Sequence, residues 1–261
     1  MRLSLCLLAP FIATGLAAQT VAQHIAEGDS VSLMHPDVQL RHYQAALAID
    51  SLSYEANWRA ARAIADVAKQ IQSNADSLKQ RRDSLYGVGR VYAERAVRAD
   101  STKPEGHYVL SMVLGRLSRT KGSKERVRYA KIIYDEATKA VQIDSTYHLA
   151  HHVLGAWNAE VKRLSGFQRF FAKMLFGGGF MDKASWNDAV SHLETAVRLA
   201  PDHIYHRLEL AEVYMDLGRY SKAREQLQAI AALPPVDVLD PQYKADAAAY
   251  MNDIKNKKDE T

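Results

Sequence analysis

A short apolar signature returns five times along this chain, each copy about one helix pair beyond the last. It reads Ala46-Leu47, Ala96-Val97, Ala140-Val141, Ala196-Val197 and Ile230-Ala231. A stop follows each copy: Asp50-Ser51, Asp100-Ser101, Asp144-Ser145, Pro201 and Pro235. A new helical pattern then opens and carries a residue pair at a fixed offset: Ala60-Ala61, Leu110-Ser111, Leu154-Gly155 and Leu210-Ala211. A single helical hairpin cannot bury its apolar face alone, so recurrence at this spacing demands that neighbours stack. The expected fold is all-α, a tetratricopeptide-like superhelix of antiparallel helix pairs. The last unit gives the clearest pattern, running from Ile204 through Leu210, Ala211, Tyr214, Gly218, Tyr220, Ala223, Leu227 and Ile230 to Pro235. Small residues mark where two helices cross closely, and large ones fill the space around them.

The first helix of each unit is predicted to begin at Tyr54, Pro104, His148 and Ile204. The second is predicted to end near Ala99, Ile143, Leu199 and Leu233. Repeats then cover about 20–53, 54–103, 104–147, 148–203 and 204–237, and a capping helix at 240–254 completes a single domain over residues 20–257. The opening segment, 20–35, reads as a short helix interrupted near Gly28-Asp29. In the last unit Ala211 and Ile230 stand 19 positions apart. The matching separations are 35 (Ala61 to Ala96), 29 (Ser111 to Ala140) and 41 (Gly155 to Ala196), so three repeats carry insertions. Such insertions project from one edge of a solenoid.

Residues 1–19 read as a secretory signal peptide. Arg2 starts an apolar stretch from Leu3 to Leu16, and the small residues Gly15, Ala17 and Ala18 suit cleavage after residue 17 or 18. The stretch is short for a membrane span. The expected location of the mature chain is therefore periplasmic or secreted. Cys6 is the only cysteine and would leave with this segment, which removes thiol catalysis, disulfides and cysteine-based metal sites. The net charge is +4, and the basic residues fall in short clusters such as Lys79 to Arg82 and Lys121 to Arg128. These read as solvated helix faces rather than a phosphate track, so no nucleic-acid partner is expected.

The motifs of phosphate-binding loops, zinc proteases and nucleophile elbows are missing, and Ser118 with Lys121 lacks the companion motifs of a Ser-x-x-Lys enzyme. The sequence thus points to no enzyme and no cofactor. His148 and His152 stand one helical turn apart and could share a metal if Glu160 or His192 joined them. The plainer reading of these histidines is packing and groove lining. The first helices of tetratricopeptide units line the concave face. Counted from each start, the fifth position gives Trp58, Tyr108, His152 and Leu208. The second gives Glu55, Glu105, Leu149 and Tyr205, and the ninth gives Arg62, Met112, Ala156 and Glu212. An aromatic strip flanked by mixed charge suits an extended or helical peptide.

Residues 163–180, RLSGFQRFFAKMLFGGGF, form the least ordinary segment. Phe167, Phe170, Phe171, Met174 and Leu175 fall on one helical stripe, with Arg163, Arg169 and Lys173 off it. The stripe either touches a membrane surface or partner, or folds back to plug the solenoid.

Residues 151–165, HHVLGAWNAEVKRLS, followed by Leu175-Phe176-Gly177, resemble the regulator of microtubule dynamics family. Residues 58–64 (WRAARAI) and 214–218 (YMDLG) look similar too, and the likeness spans about residues 40–255. The resemblance implies a tetratricopeptide-like helical domain, microtubule association in eukaryotic members and no enzymatic activity. It assigns no catalytic residues, and His151, His152, Trp157, Leu175, Phe176 and Gly177 look like fold-defining positions. Taken with the signal peptide, the expectation is an exported bacterial relative that acts as a scaffold for a protein or peptide partner.

Overall fold

A computed structural model describes residues 19–73 and 75–260, and within them every side chain except those of Phe167, Phe171, Leu175 and Phe176. The signal-peptide segment, residues 1–18, lies outside the described residues. Among the described residues twelve α-helices follow one another, ten of them in antiparallel pairs. They are α1 (Val21–Ser30) with α2 (Pro36–Ile49), α3 (Tyr54–Lys69) with α4 (Asp76–Ala99), and α5 (Pro104–Ser118) with α6 (Ser123–Ile143). Next, α7 (His148–Arg163) pairs with α9 (Trp186–Leu199), and between them lie α8 (Gly166–Phe176) and a 3₁₀ turn (Gly178–Lys183). The last pair is α10 (Ile204–Asp216) with α11 (Tyr220–Ala232), and α12 (Asp240–Ile254) packs across both.

The helix ends follow from local chemistry. After α4 and α6, Asp100 and Asp144 each accept hydrogen bonds at Oδ1 from the backbone N–H and hydroxyl of a threonine two residues on. Asp50 accepts from the N–H of Leu52 in the same way. These side chains offer the backbone an alternative to the helical ladder, so each helix stops there. Pro36 and Pro104 begin α2 and α5, where a missing N–H costs nothing. Gly218 turns the chain between α10 and α11 at φ +66°.

A second interaction recurs with the same register. In α3, α5, α7 and α10 the fourth residue of the helix reaches back to the carbonyl six positions earlier, at the turn just passed. Asn57 donates to Ser51 O at 3.0 Å and Arg207 to Pro201 O at 2.7 Å. His107 and His151 place Nε2 3.0 Å from Ser101 O and Ser145 O.

The repeating alanines explain themselves by packing. Ala46, Ala96, Ala140 and Ala196 are fully buried where hairpins meet. Leu193, Ile204, Leu210 and Ile230 are buried around the last interfaces, each contributing on the order of 1.5–3 kcal/mol. The opening helix departs from the sequence expectation. Instead of breaking near Gly28, α1 continues through it to Ser30, and Gly28 is buried. Its role is steric: a Cβ there would lie 2.4 Å from Tyr43 Cε1, so only glycine admits the Tyr43 ring.

The three insertions take two forms. α4 and α6 are lengthened to 24 and 21 residues against 13 in α11. The third insertion is α8 with its 3₁₀ turn. Its Ser165 and Gln168 form a reciprocal capping box, and Gly177 ends the helix in the left-handed region.

Gly155 tests the close-crossing argument. A Cβ there would meet Leu193 Cγ at 2.5 Å and Ala189 O at 3.1 Å. Gly155→Ala is expected to lose about 1–3 kcal/mol through overpacking. Gly87→Ala, in α4 with open space around it, is expected to gain up to about 1 kcal/mol. Urea denaturation of both variants checks this, and a neutral Gly155→Ala would contradict the packing.

Candidate functional site

The first helices of the hairpins line a cavity of about 860 Å³. α3 contributes Arg62, Asp66 and Lys69. α5 contributes Tyr108, Met112 and Arg116, and α7 contributes Leu149, His152, Ala156 and Glu160. Tyr205 and His206 enter from α10, while Asp237, Asp240 and Tyr243 close the far side. Gln168, Ala172 and Met181 show that α8 and its 3₁₀ turn form part of the wall. Among the described residues, the inserted segment thus contributes wall to the hollow.

The predicted groove residues divide. Arg62, Tyr108, Met112, His152 and Tyr205 border the cavity. Trp58 borders a smaller adjoining space of about 130 Å³ between α1, α2 and α3, where its Nε1–H donates to Glu55 at 3.0 Å. Leu208 and Glu212 are corrected. Leu208 is buried in the C-terminal core, and Glu212 does not border the cavity. The reason is α12, which packs on α10 and covers the positions that stay open in the earlier repeats. Burial raises the Glu212 carboxyl to about 7.

His148 and His152, the pair that could share a metal, both face α10. His206 stands between them: its Nε2 lies 2.7 Å from His148 Nδ1, and its Nδ1 lies 3.1 Å from His152 Nδ1. Both are hydrogen-bond separations, and among the described residues neither His148 nor His152 belongs to a group of three ligand atoms facing a common point. The third ligands are engaged elsewhere. His192 faces His151 at 2.9 Å, and Glu160 pairs with Arg163 at 3.1 Å. His203 stacks on His206 with ring centroids 3.9 Å apart. Desolvation lowers the pKa of His148, His152, His192, His203 and His206 below the ordinary imidazole value, His203 to about 4. A neutral His206 meets the geometry by donating through one nitrogen and accepting through the other.

Charge on the cavity wall is uneven. Asp66 is held by Lys69 at 2.6 Å, with Arg62 at 3.9 Å. Asp240 is buried and accepts from the N–H groups of Val236 and Asp237, both at 2.8 Å, which ties the closing segment to α12. Arg116 differs. Among the described residues no carboxylate lies within 4 Å of its guanidinium, whose Cζ sits 5.6 Å from the Tyr205 ring centroid. Tyr205 stacks in turn on Tyr243 at 4.6 Å. The tyrosines around Arg116 hold its pKa above the usual guanidinium value against desolvation. The spacing from α3 to α5 carries this residue: Arg116 holds the thirteenth position of its helix, as Asp66 does in α3 and Glu160 in α7. Sequence reasoning stopped at the ninth position and missed the row.

The aromatic stripe is partly placed. Phe170 and Met174 are exposed (58% and 57%), whereas the side chains of Phe167, Phe171 and Leu175 lie outside the described residues. Phe180 packs 6.2 Å from Trp157, and Lys173 pairs with Asp182. Arg163 belongs to α7 and not to the stripe. It pairs with Asp216 at 2.7 Å and with Glu209 at 3.6 Å, joining α7 to α10. No helix among the described residues is long and apolar enough to cross a membrane.

The histidine cluster makes a pH prediction. A folded-state pKa depressed to about 4 for His203, against about 6.5 unfolded, costs nothing above pH 6.5 and costs stability progressively as the pH falls toward 4. His203→Gln removes that one titration. The variant is expected to gain about 1–2 kcal/mol on the parent between pH 7 and pH 5, measured by urea denaturation at both values. An unchanged difference would show that His203 takes up its proton freely.

Comparison with known proteins matches this architecture. The family model described as regulator of microtubule dynamics protein 1-3 matches residues 26–255. The rat regulator of microtubule dynamics protein 3 is 24% identical over 72% of this chain, which spans 39% of that protein. The bovine regulator of microtubule dynamics protein 1 is 24% identical over 80% of this chain, which spans 64% of it. A solved tetratricopeptide protein of Thermus thermophilus superposes with a TM-score of 0.61 at 21% identity, covering 88% of this chain and 99% of that one. With a family match over nearly its whole helical array, the chain belongs to the regulator of microtubule dynamics protein 1-3 family.

Proposed function

We propose that the chain is a non-enzymatic scaffold that holds a short, extended, acidic segment of a partner polypeptide in the cavity between its first helices. The observation that carries this reading is Arg116, a wall guanidinium without a carboxylate partner among the described residues, set beside Tyr205 in a cavity of about 860 Å³. That volume lies in the range of sites that enclose a small ligand, which fits a few residues of chain. A partner carboxylate would supply the ion pair that the wall, which offers Arg116 a hydrogen bond to Tyr205 alone, does not. The tetratricopeptide-like fold supports a protein-interaction role in general. The relatives' names tie them to microtubule dynamics. We place this chain instead outside the compartment of tubulin, in keeping with the signal-peptide reading of residues 1–19, with a periplasmic or secreted partner.

A random-peptide display selection on the purified chain tests the reading. Binders are expected to be enriched in Asp and Glu and to weaken at least about tenfold on Arg116→Met, while Arg41→Met on the exposed face of α2 leaves them unchanged. Binders that ignore Arg116→Met would overturn it.

A second reading, a peripheral membrane contact through α8, is favoured by exposed Phe170 and Met174 one turn apart on a helix that also carries Arg169 and Lys173. Flotation with anionic vesicles checks it. The intact protein should float and Phe170→Asp with Met174→Asp should not; a parent that stays at the bottom removes this reading.

A further inference from the structure

We propose that His24 and Glu27 of α1 and His42 of α2 form a binding site for one divalent cation of the zinc class, outside the cavity described above. One ligand atom from each residue falls within 4.8 Å of the others, the single three-ligand group of this kind among the described residues. Glu27 Oε2 lies 3.1 Å from His42 Nδ1 and 3.8 Å from His24 Nδ1. A tetrahedral ion with bonds of about 2.0–2.1 Å holds its ligand atoms roughly 3.4 Å apart, so the two separations bracket what such an ion requires. Two imidazole nitrogens and one carboxylate oxygen suit zinc and its transition-metal neighbours rather than calcium or magnesium.

Two independent features point to a ligand. His24 Nδ1 is buried and makes no hydrogen bond, an orphaned nitrogen within the cluster. Glu27 has no lysine or arginine within ion-pair distance among the described residues, where its ion-pair neighbours are the two histidines. Its other oxygen, Oε1, accepts from Gln19 Nε2 at 2.5 Å, so the carboxylate is oriented from behind as metal-binding carboxylates are. Glu27 and His42 remain partly exposed, at 41% and 31%, which leaves an entry path and a position for water. The His24 and His42 rings, 6.5 Å apart, lie on facing helices, so an ion would clamp α1 to α2. At 10 residues α1 is too short to hold as a helix by itself, and the clamp would act one turn from the Gly28–Tyr43 contact.

The test is calorimetric titration of zinc chloride into the chelator-stripped full chain, carrying Cys6→Ser throughout so that no thiol competes. One equivalent is expected to bind and to raise the melting temperature. His42→Ala and Glu27→Gln should each weaken binding at least about tenfold and abolish the thermal shift, with unchanged helical circular dichroism. His35→Ala, at an exposed histidine outside the cluster, should bind like the parent. Glu27→Gln keeps the side chain's size and decides the matter if His42→Ala fails to fold. Absence of stoichiometric binding, binding indifferent to both substitutions, or binding lost on His148→Ala instead would each overturn the site.

Discussion

The array depends on a hydrogen bond made four times, from the fourth residue of a first helix to the carbonyl of the turn that precedes it. Asn57, His107, His151 and Arg207 make it with Ser51, Ser101, Ser145 and Pro201. Each donor is buried or half-buried, and each acceptor is a carbonyl that the helix end has left without a ladder partner. The bond fixes how one hairpin is set against the next. Repetition of one setting angle curls the stack and turns the first helices inward. Three different kinds of side chain do the same work at four places, which shows that the geometry recurs although the residue does not. His107 adds a second tie, with Nδ1 2.5 Å from Glu136, and this partner raises its pKa. That contribution is complete below the ordinary imidazole value and fades as the pH climbs through the raised one, opposite in sign to the buried cluster around His206.

How much of this was legible in the sequence follows from what each feature depends on. The helix starts at Tyr54, Pro104, His148 and Ile204 could be read because they rest on local signals: an aspartate or proline stop, then a fresh apolar period. The inward row of Arg62, Tyr108, Met112, His152 and Tyr205 could be counted from those starts. Leu208 and Glu212 could not, because counting along α10 carries no information about α12 folding back over it. Gly28 misleads for a related reason. A glycine in a helical pattern reads as a break, and only the Tyr43 ring, 15 residues on, reveals a close approach instead. The four turn-seeking donors are hidden because Asn, His and Arg share no composition signal, only a register.

The histidines show how a correct local spacing can mislead about chemistry. His148 and His152 are one turn apart, as two metal ligands on a helix would be. Yet α10 inserts His206 between them at hydrogen-bond distance from both. Burial then favours the neutral form throughout, because a charge placed there would face neighbouring imidazoles as well as a dry surrounding. His24 and His42 are 18 positions apart and suggest nothing in sequence. A hairpin and a carboxylate bring them together. Chelation is decided by which atoms face a common point, and sequence spacing controls that only within one helix.

The same dryness bears on what the cavity can accept. A guanidinium stays charged wherever it is placed, so Arg116 cannot relieve its desolvation by giving up a proton. Lys69 relieves its own through Asp66, and burial pushes Asp237 upward, toward its neutral acid, on the closing side. The wall is therefore compensated at one end and not at the other. An apolar occupant would leave Arg116 further desolvated and without an anion, a costly state for a buried charge. A cationic occupant would add repulsion. An occupant bearing a carboxylate offsets that desolvation while its remaining surface meets Tyr108, Tyr205 and Met112. The selectivity of the hollow thus follows from a charge the fold leaves uncompensated.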